Sequence, residues 1–225
     1  MDNIANVIAD AKAQAASLPQ ASPASPSTAV ALPGKRTTAA SFLDNARVNV
    51  DVFLKIDKTG PMRIGSAKGQ IGEFEAVLDC SKLAFPMMVR YGDNPTVYAK
   101  TYDGGATVQD SPTTWQRHLE LAQASKPGKQ SAPFDTVDLA LRLVSDVTGY
   151  ELGKSEIVGK AGQLVGYTPP YTGVATVHAL LKEVRARGGD IEKSKVRVKV
   201  TGTSKSNKAG QPYGIVELTF LGLEA

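Results

Sequence analysis

Apolar and polar positions alternate strictly in two stretches, one early in the chain and one at its end. Val48, Val50, Val52, Leu54 and Ile56 alternate with Asn49, Asp51, Phe53, Lys55 and Asp57. Val196, Val198 and Val200 alternate with Lys195, Arg197 and Lys199. A period of two marks a strand with one buried and one solvated face. The later stretch passes through a polar loop, 204–212, into a second strand over 213–221. It therefore predicts a long hairpin with one apolar face, one cationic face and a tip carrying Lys205 and Lys208. Between the two stretches, residues 57–61 (DKTGP) predict a turn, 62–64 a strand end, 66–72 (SAKGQIG) a glycine-containing loop and 73–78 a strand. Residues 83–91 are apolar around Pro86, which predicts an edge or bulged strand. Turns at 91–95 and 103–105 bracket a strand over 96–102, with Tyr98, Lys100 and Tyr102 on one face.

Helical spacing appears in four places. Residues 2–17 put Ile4, Val7, Ile8, Ala11 and Ala15 on one face, and a Pro/Ser/Ala-rich linker follows over 17–35. Residues 113–124 align Trp115, His118, Leu119 and Ala122, with Thr113 and Gln116 as a capping box. Residues 135–147 turn Val137, Ala140, Leu141 and Val144 inward, and place Asp135 and Asp138 at a helix start, where negative charge suits the dipole. Residues 174–187 form a helix stopped by Gly188 and Gly189. A surface loop over 126–133, short strands within 155–167 and a rigid turn at 168–173 complete the reading. Strands, a helical insertion and a closing strand pair imply an α+β fold with a mostly antiparallel sheet or small barrel. The expected organisation is a helix and disordered linker over 1–40, then one β-rich domain with helical insertions over 41–225.

Composition changes this picture little. The chain has 225 residues, a formal charge of +4 and a single cysteine, Cys80. One cysteine excludes an intrachain disulfide and fits a reducing cytoplasm. No apolar run reaches the roughly 18–20 residues of a membrane helix, and the N-terminus has no secretory pattern. The mild basicity permits a polyanionic partner.

Catalytic and metal signatures are absent from the sequence. His118, His178 and Cys80 are too few and too scattered for zinc, so no metal or cofactor is expected. The two histidines read as helix-packing or surface residues and Cys80 as a small buried hydrophobe. The glycines of 159–166 (GKAGQLVG) read as strand bends, because a phosphate loop would end in Lys-Ser/Thr. What remains is a set of cations and tyrosines on strands and their loops: Arg63, Lys68, Arg90, Tyr91, Tyr98, Lys100, Tyr102, Arg197, Lys199, Lys205, Lys208 and Tyr213. Basic grooves with stacking rings bind single-stranded nucleic acid. Outward lysines that keep sheet edges soluble are the alternative.

Residues 48–78 echo 196–221: a strand, a Lys-Gly-Gln loop, then a strand with a glutamate. Duplication and ordinary hairpin chemistry both produce such an echo. NKAGQPYGIVELTFL (207–221), and less closely SAKGQIGEFEAVL (66–78), resembles OB-fold single-stranded-DNA-binding proteins of phages and plasmids. The resemblance covers about a quarter of the chain. It implies an OB-like barrel and sequence-independent, salt-sensitive coating of single-stranded DNA or RNA in the host cytoplasm, without catalysis. The chain departs from that family in having no acidic glycine-rich C-terminal tail and in its helical segments at 113–147 and 174–187. The competing expectation is an assembly protein, such as a virion component, that self-associates through residues 1–17.

Overall fold

The computed structural model describes residues 50–93, 95–125 and 131–224; the predicted helix over 2–17 and its linker lie outside them. Twelve strands and two α-helices follow in order: β1 (Val52–Ile56), β2 (Met62–Ile64), β3 (Glu73–Asp79), β4 (Met87–Tyr91), β5 (Val97–Thr101), α1 (Trp115–Ser125), β6 (Phe134–Asp135), β7 (Leu139–Leu143), β8 (Val147–Glu151), β9 (Lys154–Gly159), β10 (Leu164–Tyr167), α2 (Val174–Ala186), β11 (Lys195–Ser206) and β12 (Pro212–Glu224). The fold is α+β. Seven strands form a mixed sheet in the order β12-β11-β3-β7-β10-β1-β2, parallel only between β1 and β10. It does not close into a barrel. A three-stranded sheet, β5-β4-β6, and the β8–β9 hairpin are separate.

The inward phase of β11 predicted from sequence is the centre of the core. Val196, Val198 and Val200 are fully buried against Ala76, Leu78, Leu141 and Val165 of the same sheet and Val177, Leu180 and Val184 of α2. Each such side chain contributes about 1.5–3 kcal/mol through burial. A smaller core, Val89, Ala99, Trp115 and Ala122, fastens α1 to the three-stranded sheet. Helix α2 ends as its glycines dictate. Gly188 adopts φ 82°, and the amides of Gly189 and Gly188 donate to the carbonyls of Val184 and Arg185, closing the last turn.

Four sequence expectations are corrected. Residues 135–147 are not a helix. Val137, Leu139, Leu141 and Leu143 are all buried at period two, and β7 lies between β3 and β10. Buried Ala140, facing the other way, gave the stretch its false helical spacing. Asp135 and Asp138 therefore serve no helix dipole. At α1 the cap is Thr114, whose hydroxyl accepts from the Arg117 amide, and not Thr113. Pro86 does not mark an edge: β4 is the central strand of its sheet, and the proline stands just before it.

The echo between 48–78 and 196–221 is the fourth, since the two stretches do not fold alike. Residues 48–78 are not one hairpin, because β1 pairs with β2 and β10, and the SAKGQ loop leads from β2 into β3. The true counterparts are the turns 57–61 and 207–211. In each, the first amide donates to the fifth carbonyl (Asp57 to Pro61, 2.9 Å; Asn207 to Gln211, 3.0 Å), and the fourth-residue glycine amide donates back to the first carbonyl. Gly60 and Gly210 hold the positive φ that this three-residue hairpin loop requires. Lys58 and Lys208 occupy the same place in the two turns.

The first turn lies across the long hairpin. The Ser204 hydroxyl donates to the Lys58 carbonyl at 3.0 Å. A Cβ at Gly202 would stand 2.2 Å from the Gly60 carbonyl oxygen, and one at Gly214 would stand 2.1 Å from that of Asp57. Backbone cannot yield as a side-chain tip can. Gly214→Ala should destabilise the protein by about 2–3 kcal/mol through overpacking, whereas Gly222→Ala, with no atom within 4 Å of the new Cβ, should stay within about 0.5 kcal/mol. Urea midpoints at unchanged slope would measure both.

Candidate nucleic-acid interface

The structure divides the predicted cations into paired and unpaired groups. On the outer face of the seven-stranded sheet, Arg197 donates through Nε and Nη2 to the Glu75 carboxylate at 2.9 and 2.7 Å. Lys199 meets Glu73 at 2.8 Å, and Lys205 meets Glu217 at 3.1 Å. Arg63 meets Asp57 at 3.0 Å. Antiparallel register explains the first two pairs, since β3 lies beside β11 and sets its glutamates diagonally opposite. The face expected to be cationic is a ladder of alternating charge. Exposed pairs of this kind contribute about 0–1 kcal/mol each, but each carboxylate offsets the charge its cation offers to an anion.

Lys100 and Tyr102 are committed elsewhere. Lys100 Nζ lies 2.8 Å from Asp138 Oδ1 and 2.8 Å from the Thr168 hydroxyl. Tyr102 donates to Asp138 Oδ2, and the Thr168 hydroxyl donates to Asp138 Oδ1. The backbone of Asp138 also bridges Ala84. This largely buried group joins the three-stranded sheet to β7 and to the end of β10. Tyr91 is likewise structural: its hydroxyl is 2.9 Å from His118 Nδ1. His118 is buried, bonded also to Ser111, and burial depresses its pKa. Burial raises the Cys80 thiol above its ordinary pKa, with Asp79 and Asp190 adding to the effect. Tyr213 is half-buried opposite Lys205.

Three predicted cations have no carboxylate partner among the described residues. Lys208 stands in the exposed hairpin turn, and Lys68 is exposed on the β2–β3 loop. Arg90 lies over the ring of Tyr98, 5.8 Å from its centroid, and Tyr98 is 57 % exposed. Of the twelve predicted residues, only Arg90 and Tyr98 meet as an open cation–ring pair.

Sequence reasoning passed over Phe53, Lys55, Lys58, Tyr150 and Lys154. Phe53 carried a visible signal, a large aromatic in the polar phase of a strand. Tyr150 and Lys154 belong to the β8–β9 hairpin, which turns at Leu152 and Gly153, both at positive φ. The hairpin is anchored by two backbone bonds between Gln70 and Tyr150 and by Glu156 accepting from the Gly69 amide at 3.0 Å. The SAKGQ loop thus supports this finger. Among the described residues no cluster of His, Cys, Asp and Glu could hold a metal ion, and no helix is long and apolar enough to cross a membrane. Comparisons with family models, curated proteins and solved structures returned no match.

Two predictions separate these roles. Asp138→Ala strands the Lys100 charge and should cost about 3–5 kcal/mol, whereas Glu75→Ala should cost less than about 1 kcal/mol; chemical denaturation would read both. His118 folds with a pKa below its unfolded value of about 6.5. The unfolded chain therefore takes up the proton first, and stability should fall as pH drops below that value. A His118→Gln variant should lose this component in unfolding measured between pH 7 and pH 5.

Proposed function

We propose that the protein binds single-stranded nucleic acid, DNA or RNA, without sequence preference and without catalysing a reaction. The observation that carries this reading is the open pair of Arg90 and Tyr98. A guanidinium beside an exposed ring offers phosphate neutralisation and base stacking at one place, and needs no particular base. Lys58 and Lys208, at matching positions of two similar turns, supply further phosphate contacts. The ion-paired ladder of Arg197, Lys199 and Lys205 is a secondary surface, where phosphate must displace carboxylate. One backbone bridge, Met62 to Ile71, returns the outer edge of β2 to the segment entering β3. That near-return supports an OB-like reading of the sheet, and with it the likeness of 207–221 to the single-strand-coating proteins of phages and plasmids, acting in the cytoplasm.

Fluorescence anisotropy with labelled oligo-dT tests the proposal. Binding should weaken with rising salt, and Tyr98→Ala should lose about five- to 150-fold in affinity, the equivalent of one stacked base at 1–3 kcal/mol. Arg197→Ala should change affinity less than about threefold. No binding at low salt would remove the proposal.

A second reading, an assembly subunit, is favoured by β12. It ends the sheet order and leaves Leu221 and Leu223 nearly half exposed, and such an edge pairs readily with another chain. Light scattering of the protein free of nucleic acid tests it: an ordered polymer lost on Leu221→Lys supports assembly, and a monomer excludes it. Self-association through residues 1–17 belongs to the same reading but lies outside the described residues.

A further inference from the structure

Phe53 is placed unlike any other aromatic in the described chain. It lies on the outward phase of β1 with 55 % of its surface exposed. Glycine flanks it on both sides, within β10 and just past the end of β2. On one side Phe53 pairs with Gly166 of β10. On the other the Gly65 amide donates to the Phe53 carbonyl at 2.8 Å. Beyond Gly166 the row continues with Ala140 of β7. Four neighbouring positions across the sheet therefore carry one large side chain. A Cβ built on Gly166 would lie 2.9 Å from both Cδ1 and Cε1 of the ring. The ring thus rests over the Gly166 backbone beside the Val50 side chain, with more than half of its surface exposed.

The surroundings suit an anionic chain with flat bases. Lys55, two residues along the same face, is exposed and has no carboxylate partner among the described residues, while Arg63 opposite it is occupied by Asp57. The other side of the row approaches the Asp138 junction. Thr168, two residues beyond Gly166, and Asp138, two before Ala140, receive Lys100 and Tyr102 from the three-stranded sheet. Tyr98 continues that same face of β5, one pleat beyond Lys100. Two exposed rings, Phe53 and Tyr98, thus belong to the two sheets that this junction joins.

We infer that Phe53 is a base-stacking platform for single-stranded nucleic acid, with Lys55 contacting an adjacent phosphate; this rests on the binding function proposed above. Gly166 lets the ring and the Val50 side chain lie against the β10 backbone, which leaves the outer surface of the ring for a planar base. The competing role for such a ring is to cover Gly166 and stabilise the sheet. Phe53→Leu separates the two, since leucine keeps an apolar cover but loses the aromatic face.

Oligo-dT titrations of the full chain, wild type, Phe53→Leu and Phe53→Trp, with thermal melting of each, test the inference. Phe53→Leu should bind about tenfold more weakly at an unchanged melting temperature. Phe53→Trp should bind like wild type and show fluorescence quenching by oligo-dT that the wild type, with only the buried Trp115, does not. Wild-type affinity in Phe53→Leu, or a loss explained by a lowered melting temperature, overturns the platform and leaves the binding function standing. Failure of the wild type itself to bind overturns both.

Discussion

The Asp138 carboxylate is the junction on which the arrangement of surfaces depends. It accepts from Lys100, Tyr102 and Thr168, and so binds an element of the small sheet to two strands of the large one. Charge taken out of water is costly unless it is paired and hydrogen-bonded, so these partners have little freedom to move. Lys100 leads directly along β5 to Tyr98. The position of Tyr98, and of Arg90 above it, follows from the junction and from the small core behind, where Trp115 packs α1 against β4 and β5.

The long hairpin has a different role from the one its charge suggests. Its inner face is the centre of the main core. On its outer face Arg197 and Lys199 are matched to the glutamates of β3, and Lys205 to Glu217 of β12. Two of its glycines, Gly202 and Gly214, admit the 57–61 turn so closely that no side chain fits between. A segment fixed on both faces and crossed at its middle is a scaffold. Its exposed turn, with Lys208, remains available to a partner, as does Lys58 in the turn that crosses it. For the binding function we propose, the surface on offer is the one where rings are open and cations unpaired, on β1 and on β4–β5.

Much of this was legible in the sequence, for physical reasons. The valines of β11 alternate against lysines and arginine, a period no helix accommodates, and the glycine pair after α2 permits only a stop. The misreadings share another cause. In 135–147, apolar residues on both faces of a buried strand satisfied helical and strand spacing together. Arg197 and Lys199 looked free because their carboxylate partners, Glu75 and Glu73, lie more than a hundred residues earlier in the chain and meet them only through sheet register. Lys100 looked exposed for the same reason. Phe53 was in view as an aromatic among polar residues, but its meaning depends on Gly65 and Gly166, which only the fold places beside it.

The most direct test of this account is amide chemical-shift mapping of the isotopically labelled protein during titration with a short oligo-dT. The predicted result is a contiguous set of shifts over β1 near Phe53, Gly166, the Arg90–Tyr98 surface and the turns bearing Lys58 and Lys208, with Glu73, Glu75, Arg197 and Lys199 little changed. Shifts centred on that charge ladder, or none at saturating oligonucleotide, would contradict it.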